Sequence, residues 1–163
     1  MMMRVLKQLA PAALLLTHMS SSHDRAQAQT AAPPYCADLQ RVASVAMTDA
    51  RFTAIAGKPR EGNFSDARVA LAGWRDCSLY GSNAYICDSA TQPSAQAAEE
   101  TQAALLREVL SCLGKGWVED KERSSASYVV IHSRLRPVSI TLSTDLTERN
   151  EHVVRLNMFV RRN

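Results

Sequence analysis

The sequence predicts an α+β fold in which two helices pack on one face of an antiparallel sheet of about five strands. Three observations lead to this prediction. Apolar residues recur at helical spacing in two segments, they alternate with polar residues in the last third of the chain, and four cysteines follow a signal-like amino terminus. The strands are expected to form one hairpin and a three-stranded carboxy-terminal meander, with two disulfides linking the elements.

The amino terminus of the 163-residue chain predicts export. Arg4 and Lys7 precede a short apolar run at residues 9–16, and residues 26–28 (AQA) provide a small-residue cleavage site. These features together are typical of a secretory signal peptide. Residues 20–22 are an alternative place for cleavage. We therefore expect the mature protein to be periplasmic or secreted.

This prediction divides the chain into a signal peptide at residues 1–28, an extended lead-in at 29–35 and a single α+β domain at 36–163. The chain has 19 basic and 16 acidic residues, and cleavage after residue 28 removes three basic residues and one acidic residue. The formal net charge then falls from +3 to +1. Such a balanced body gives no reason to expect nucleic acid as a partner. No later segment is apolar enough to predict a membrane span.

Four cysteines follow the predicted cleavage site, and an even number in an exported chain predicts disulfides. If the segment between Cys77 and Cys87 turns at residues 81–83, these two cysteines lie opposite each other, close enough for a bond. Cys36 and Cys112 would then link the first helix to the end of the second. The spacings typical of zinc sites and of thioredoxin-like redox sites are absent.

Two segments have the pattern of helices. The first begins at Cys36, and its apolar residues recur at three- and four-residue steps: Leu39, Val42, Ala43, Ala46 and Met47. The second helix is predicted to begin near Pro93 and Ser94 and to end at Gly114 or Gly116, because these residues favour helix starts and helix ends respectively.

The strands are predicted from alternation and from turn residues. Residues 51–56 fit either more helix or a first strand, and residues 57–63 (GKPREGN) are predicted as loop. Short strand pieces are predicted at 69–71 and 76–80, and strands at 84–88, 128–133, 137–144 and 152–161. In the strand at 137–144 every second residue is apolar, which indicates one buried sheet face and one solvated face.

Arginines provide the candidate binding face. Arg134, Arg136, Arg155 and Arg161, with Arg162 beyond them, belong to the last strands and their connections. Guanidinium groups gathered there would suit an acidic protein or a phosphate or carboxylate ligand. The alternative is structural, because arginines on an exposed sheet face also discourage edge-to-edge aggregation.

No catalytic set is assembled in the sequence. His132 and His152 are the histidines that remain after cleavage, and a metal site with Asp145 or Glu148 would need them to meet across strands. Neither an HExxH pair nor a G-x-S-x-G motif is present. We therefore expect no catalytic residues, no bound metal and no cofactor.

The favoured interpretation is a small, exported, disulfide-linked module that binds a protein or other ligand outside the cytoplasm and has no enzymatic activity. An inhibitor or immunity-type protein fits within this class. Two alternatives remain open at this point. One is a small hydrolase or metal-dependent enzyme that uses His132 and His152, and the other is a structural component of the cell envelope.

Overall fold

In the computed structural model, which describes residues 31–161, two α-helices pack against an eight-stranded antiparallel sheet. The predicted signal peptide and Arg162 lie outside the described residues. Across residues 31–161, neither helix has the length and hydrophobicity needed to cross a membrane.

Helix α1 spans Cys36–Ala46, a 3₁₀-helix spans Arg51–Ile55, and α2 spans Ala95–Leu113. The strands are β1 (Ala56–Pro59), β2 (Phe64–Ala67), β3 (Arg75–Tyr80), β4 (Ala84–Asp88), β5 (Trp117–Glu119), β6 (Tyr128–Ser133), β7 (Val138–Leu146) and β8 (His152–Val160). Their order in the sheet is β1-β2-β3-β4-β8-β7-β6-β5. Two four-stranded meanders, one on each side of α2 in the chain, are therefore joined along β4 and β8.

The predicted α+β class, the two helices and the antiparallel sheet are confirmed, but the prediction of about five strands is too low. The structure contains a β1–β2 hairpin where residues 57–63 were predicted as loop. Pro59 lies in the edge strand β1, where a residue without an N–H group is tolerated. Residues 51–56 contain both alternatives, because the 3₁₀-helix is followed directly by β1.

One predicted strand piece is absent, and β5 is a further short strand that was not predicted. Residues 69–71 are irregular, although Val69 and Leu71 are buried, so their apolar pattern reflects burial rather than strand pairing. Strand β5 has three residues, too few for alternation to be recognised.

The ends of α2 follow from its sequence. The Ser94 hydroxyl oxygen accepts a hydrogen bond from the Ala97 N–H at 3.1 Å, which satisfies one of the free donors of the first turn. Gly114 has a positive φ of 76°, a conformation that glycine adopts without steric cost, and it ends the helix. Inside α2, the buried Gln102 side chain donates to the Leu142 carbonyl at 2.6 Å, which ties the helix to β7.

The core lies between the helices and one face of the sheet. Its members share complete or nearly complete burial and include Leu39, Val42, Phe52, Leu79, Tyr85, Val109, Ile131, Ile140, Leu142, Leu156 and Met158. The other face is less solvated than predicted, because Ser139 and Thr141 are buried as well. In the register, Ser139 lies between His132 and Phe159, so larger neighbours shield this short side chain.

Both predicted disulfides are present, Cys36–Cys112 and Cys77–Cys87. The three-residue turn of the β3–β4 hairpin is also as predicted, with Tyr80 paired to Ala84. The ladder then shifts by one residue before Arg75, and Asp76 has a positive φ of 49°. Cys77 therefore lies beside a β-bulge, and its disulfide to Cys87 forms at this irregularity rather than across an unbroken ladder.

Candidate functional site

Arg155 is held by carboxylates on the face of the sheet opposite the helices. It pairs directly with Asp88 of β4 in the register, and its guanidinium makes two hydrogen bonds to that carboxylate, at 2.8 and 3.1 Å. Asp145 lies 3.5 Å from the same guanidinium. The hydrogen bond to Asp88 raises the pKa of Arg155 against the opposing effect of burial. This arginine is therefore a fixed, charged part of the sheet.

A second ion pair lies at the same end of the sheet, between Arg75 and Glu151, whose charged atoms are 3.9 Å apart. Arg75 pairs with Asp88 in the β3–β4 ladder, and Glu151 directly precedes β8. We call this set, Arg75, Asp88, Asp145, Glu151 and Arg155, the paired end.

The other three predicted arginines lie at the opposite end of β8. Arg134 and Arg136 belong to the β6–β7 turn, and Arg161 follows β8. The Arg161 side chain donates to the Arg136 carbonyl oxygen at 3.4 Å. Six residues of strand separate Arg155 from Arg161, which corresponds to about 20 Å. The predicted face is therefore divided between the two ends of the sheet.

A further arginine, which the sequence did not single out, joins this end. Arg51 donates from Nη1 to the Asn83 side-chain oxygen at 2.9 Å, and the Asn83 carbonyl accepts from the Val160 N–H at 3.3 Å. Arg51 has a positive φ of 47°. We call the set Arg51, Arg134, Arg136 and Arg161 the basic end. No carboxylate within residues 31–161 lies within 4 Å of any of its four guanidinium groups.

A hollow of about 280 Å³ lies beside part of the basic end. Arg51 and Arg136 line it together with residues that follow α1, and Asp49 is the acidic residue of this lining. Beside the hollow, Leu135 projects from the tip of the β6–β7 turn with 81% of its surface exposed. The surface thus combines guanidinium groups that have no described carboxylate partner with one protruding apolar side chain.

The two histidines do not meet. His132 pairs with Ser139 of β7, which itself pairs with Phe159 of β8. His152 is the first residue of β8, seven residues before Phe159, a separation of about 23 Å along the strand. Within the described part of the chain, no group of three or more potential metal ligands is found. A shared metal site between these histidines is therefore incompatible with this register.

Comparisons with known proteins add no family to this description. No protein-family model, no curated protein and no solved structure matches the chain. What can be said of the site therefore comes from its own geometry. The two disulfides are compatible with an oxidising compartment outside the cytoplasm.

Proposed function

We propose that the protein is an exported binding module that uses the basic end to bind an acidic surface of another protein, in the periplasm or outside the cell. It acts without catalysis, as an inhibitor or immunity-type protein would. The observation that carries this proposal is the absence of carboxylate partners at the basic end within residues 31–161.

Charge pairing separates the arginines that stabilise the fold from those available to a partner. Arg155 makes its charge-assisted hydrogen bonds inside the protein. Arg134, Arg136 and Arg161 are exposed, and a planar guanidinium can bind a carboxylate through two parallel hydrogen bonds. An acidic partner would therefore gain contacts at the basic end without breaking any ion pair among residues 31–161.

The apolar and conformational features of the same surface support a protein partner. Leu135 is held in solvent between two arginines, and burial of such a side chain contributes to association. Arg51 keeps a left-handed backbone conformation that costs free energy for a residue with a side chain, and such residues concentrate at functional sites. A phosphate or other small anion would make no use of Leu135.

The experiment compares three forms of the mature chain as immobilised bait in envelope extract: wild type, Arg136→Glu/Arg161→Glu, and Arg149→Glu as the matched control. Arg149 is an exposed arginine in the β7–β8 turn, at the paired end. We expect a stoichiometric acidic partner on the wild type and the control, with at least about tenfold weaker binding to the double variant. Binding should also weaken as salt rises, because exposed charges are screened.

Two results would contradict the proposal. One is the recovery of no stoichiometric partner by any form across salt conditions. The other is equal binding of one partner by all three forms. A partner that binds the double variant as well as the wild type would place the interface elsewhere on the molecule.

A further inference from the structure

A cavity of about 400 Å³, remote from the basic end in the fold, lies where the lead-in before α1 meets α2. Its walls come from the lead-in at residues 31–35, the turn that contains Trp74, the segment after β4 and one face of α2. This volume is within the range of pockets that bind small ligands. The cavity is therefore large enough for a compact organic molecule.

The walls of the cavity are mainly apolar and contain one charged side chain. Pro33, Pro34, Trp74 and Leu105 provide the apolar surface, and Glu108 of α2 provides the charge. Among the described residues, no lysine, arginine or histidine lines the cavity. Within residues 31–161, no cationic group lies within 4 Å of the Glu108 carboxylate. The half-buried Glu108 carboxylate therefore has no counter-ion among the described residues and lies beside an apolar surface that an organic cation could cover.

Neutral hydrogen bonding fixes the position of this carboxylate. The Tyr35 hydroxyl donates to Glu108 Oε2 at 2.6 Å, and no described side chain donates to Oε1. Burial raises the pKa of Tyr35, and the hydrogen bond to Glu108 raises it further, so the phenol stays protonated and keeps donating. The Trp74 ring packs edge-on against Tyr35, with centroids 5.9 Å apart. Tyr35 thus links the carboxylate to the indole.

We propose that this cavity binds a small organic cation, an alkylammonium group attached to an apolar body. The ammonium group would donate to Glu108 Oε1 and lie against the Trp74 ring, an aromatic surface that attracts cations. The apolar body would cover Pro33, Pro34 and Leu105. This site is independent of the basic end, whose four arginines would repel such a ligand.

The test uses the whole chain that follows the predicted signal peptide and two probes of the same shape, phenethylammonium and 2-phenylethanol, whose binding is followed by heteronuclear NMR. We expect saturable shifts of the Trp74 indole N–H and its neighbours with the ammonium probe, and at least about tenfold weaker binding of the alcohol. Glu108→Gln should lose at least about tenfold in affinity for the ammonium probe. Glu99→Gln, an exposed carboxylate on the same helix, is the matched control and should bind as the wild type does.

A third probe, Nα-acetyl-lysine methylamide, distinguishes the source of the cation. Tighter binding of this probe than of phenethylammonium indicates the lysine side chain of a peptide, and the reverse order indicates a free amine. Equal binding of the ammonium and alcohol probes would overturn the proposal. So would unchanged affinity in Glu108→Gln, provided that this variant unfolds at the wild-type temperature, or shifts that occur away from the cavity. If Glu108→Gln is unstable, Trp74→Leu provides the second variant, with the same loss expected.

Discussion

The two ends of the sheet carry arginines in opposite electrostatic states. At the paired end, Arg155 is bound by Asp88 and Asp145, and Arg75 lies near Glu151. At the basic end, four arginines have no carboxylate within 4 Å among the described residues, although Arg155 and Arg161 belong to one continuous segment. The same residue type is therefore paired with carboxylates at one end and has no described carboxylate partner at the other.

This difference shows why a list of arginines does not define a binding face. Every second residue of a strand shares a face, so Arg155 and Arg161 share one by sequence alone. Their roles differ because of the neighbouring strand, since Asp88 of β4 lies beside Arg155. The partners of a charge, rather than its position in the strand, decide what it can do.

The largest expected effects come from the disulfides, one of which adjoins the paired end. Removal of Cys36–Cys112 by two alanines should lower the free energy of unfolding by about 4–5 kcal/mol, because the bridge spans 76 residues. Removal of Cys77–Cys87, which spans 10 residues beside Asp88, should cost about 3 kcal/mol. Urea denaturation of both variants measures this order. A larger loss for the shorter bridge would contradict the chain-entropy argument.

Removal of a carboxylate should affect the free energy of unfolding differently at the two ends of the sheet. Asp88→Asn removes the main partner of Arg155 and should lower the free energy of unfolding by about 1–2 kcal/mol, since the pair is charge-assisted but partly solvated. Asp49→Asn is the control, because Asp49 is exposed and near the basic end. Urea denaturation near pH 7 compares the two variants. Equal losses of stability in the two variants would contradict the claim that ion pairing stabilises the fold at the paired end only.

The Glu108 carboxylate represents a third situation, because its described partner is the neutral Tyr35 hydroxyl rather than an arginine. The pKa of Tyr35 is raised in the folded protein, whereas an unfolded tyrosine loses its proton near pH 10. The unfolded state thus binds fewer protons above pH 10, and stability falls as pH rises. By pH 10.5 the raised pKa of Tyr35 should have lowered the free energy of unfolding by about 0.8 kcal/mol. Between pH 8 and 10.5, the free energy of unfolding should therefore fall less in Tyr35→Phe than in the wild type, by that amount. Urea denaturation at each pH measures both proteins. An identical loss in both proteins would contradict the assignment.

The smallest effect is expected at the basic end. Arg136→Ala removes an exposed guanidinium that has no described carboxylate partner, so the free energy of unfolding should change by no more than about 0.5 kcal/mol. The same denaturation assay measures it. A loss above about 1 kcal/mol would mean that this arginine stabilises the fold, as Arg155 does.

Local signals explain what the sequence predicted well. Ser94 and Gly114 determine the ends of α2 through hydrogen bonding and backbone conformation within a few residues. The spacing of Cys77 and Cys87 around a three-residue turn likewise predicted their disulfide. Helical periodicity identified α1, because its apolar residues face a single core.

Long-range pairing explains what the sequence left undetermined. Asp88 and Arg155 are 67 residues apart in the chain, and their contact requires β4 and β8 to be neighbours, which no local pattern indicates. Arg51 reaches the basic end through Asn83, 32 residues away, for the same reason. The edge strand β1 depends on pairing with β2 and contains Pro59, so its composition resembles that of a loop.

The central claim is that Arg155 is paired with carboxylates inside the fold, whereas the arginines of the basic end have no carboxylate partner among residues 31–161. This claim can be tested without any partner. Hydrogen exchange of the arginine Nε–H groups, measured by NMR, reports each side chain separately. Arg155 Nε donates to Asp88 at 2.8 Å and should exchange at least about tenfold more slowly than Arg134, Arg136 and Arg161, or about 1.4 kcal/mol of protection. Equal exchange rates for all four would contradict the account.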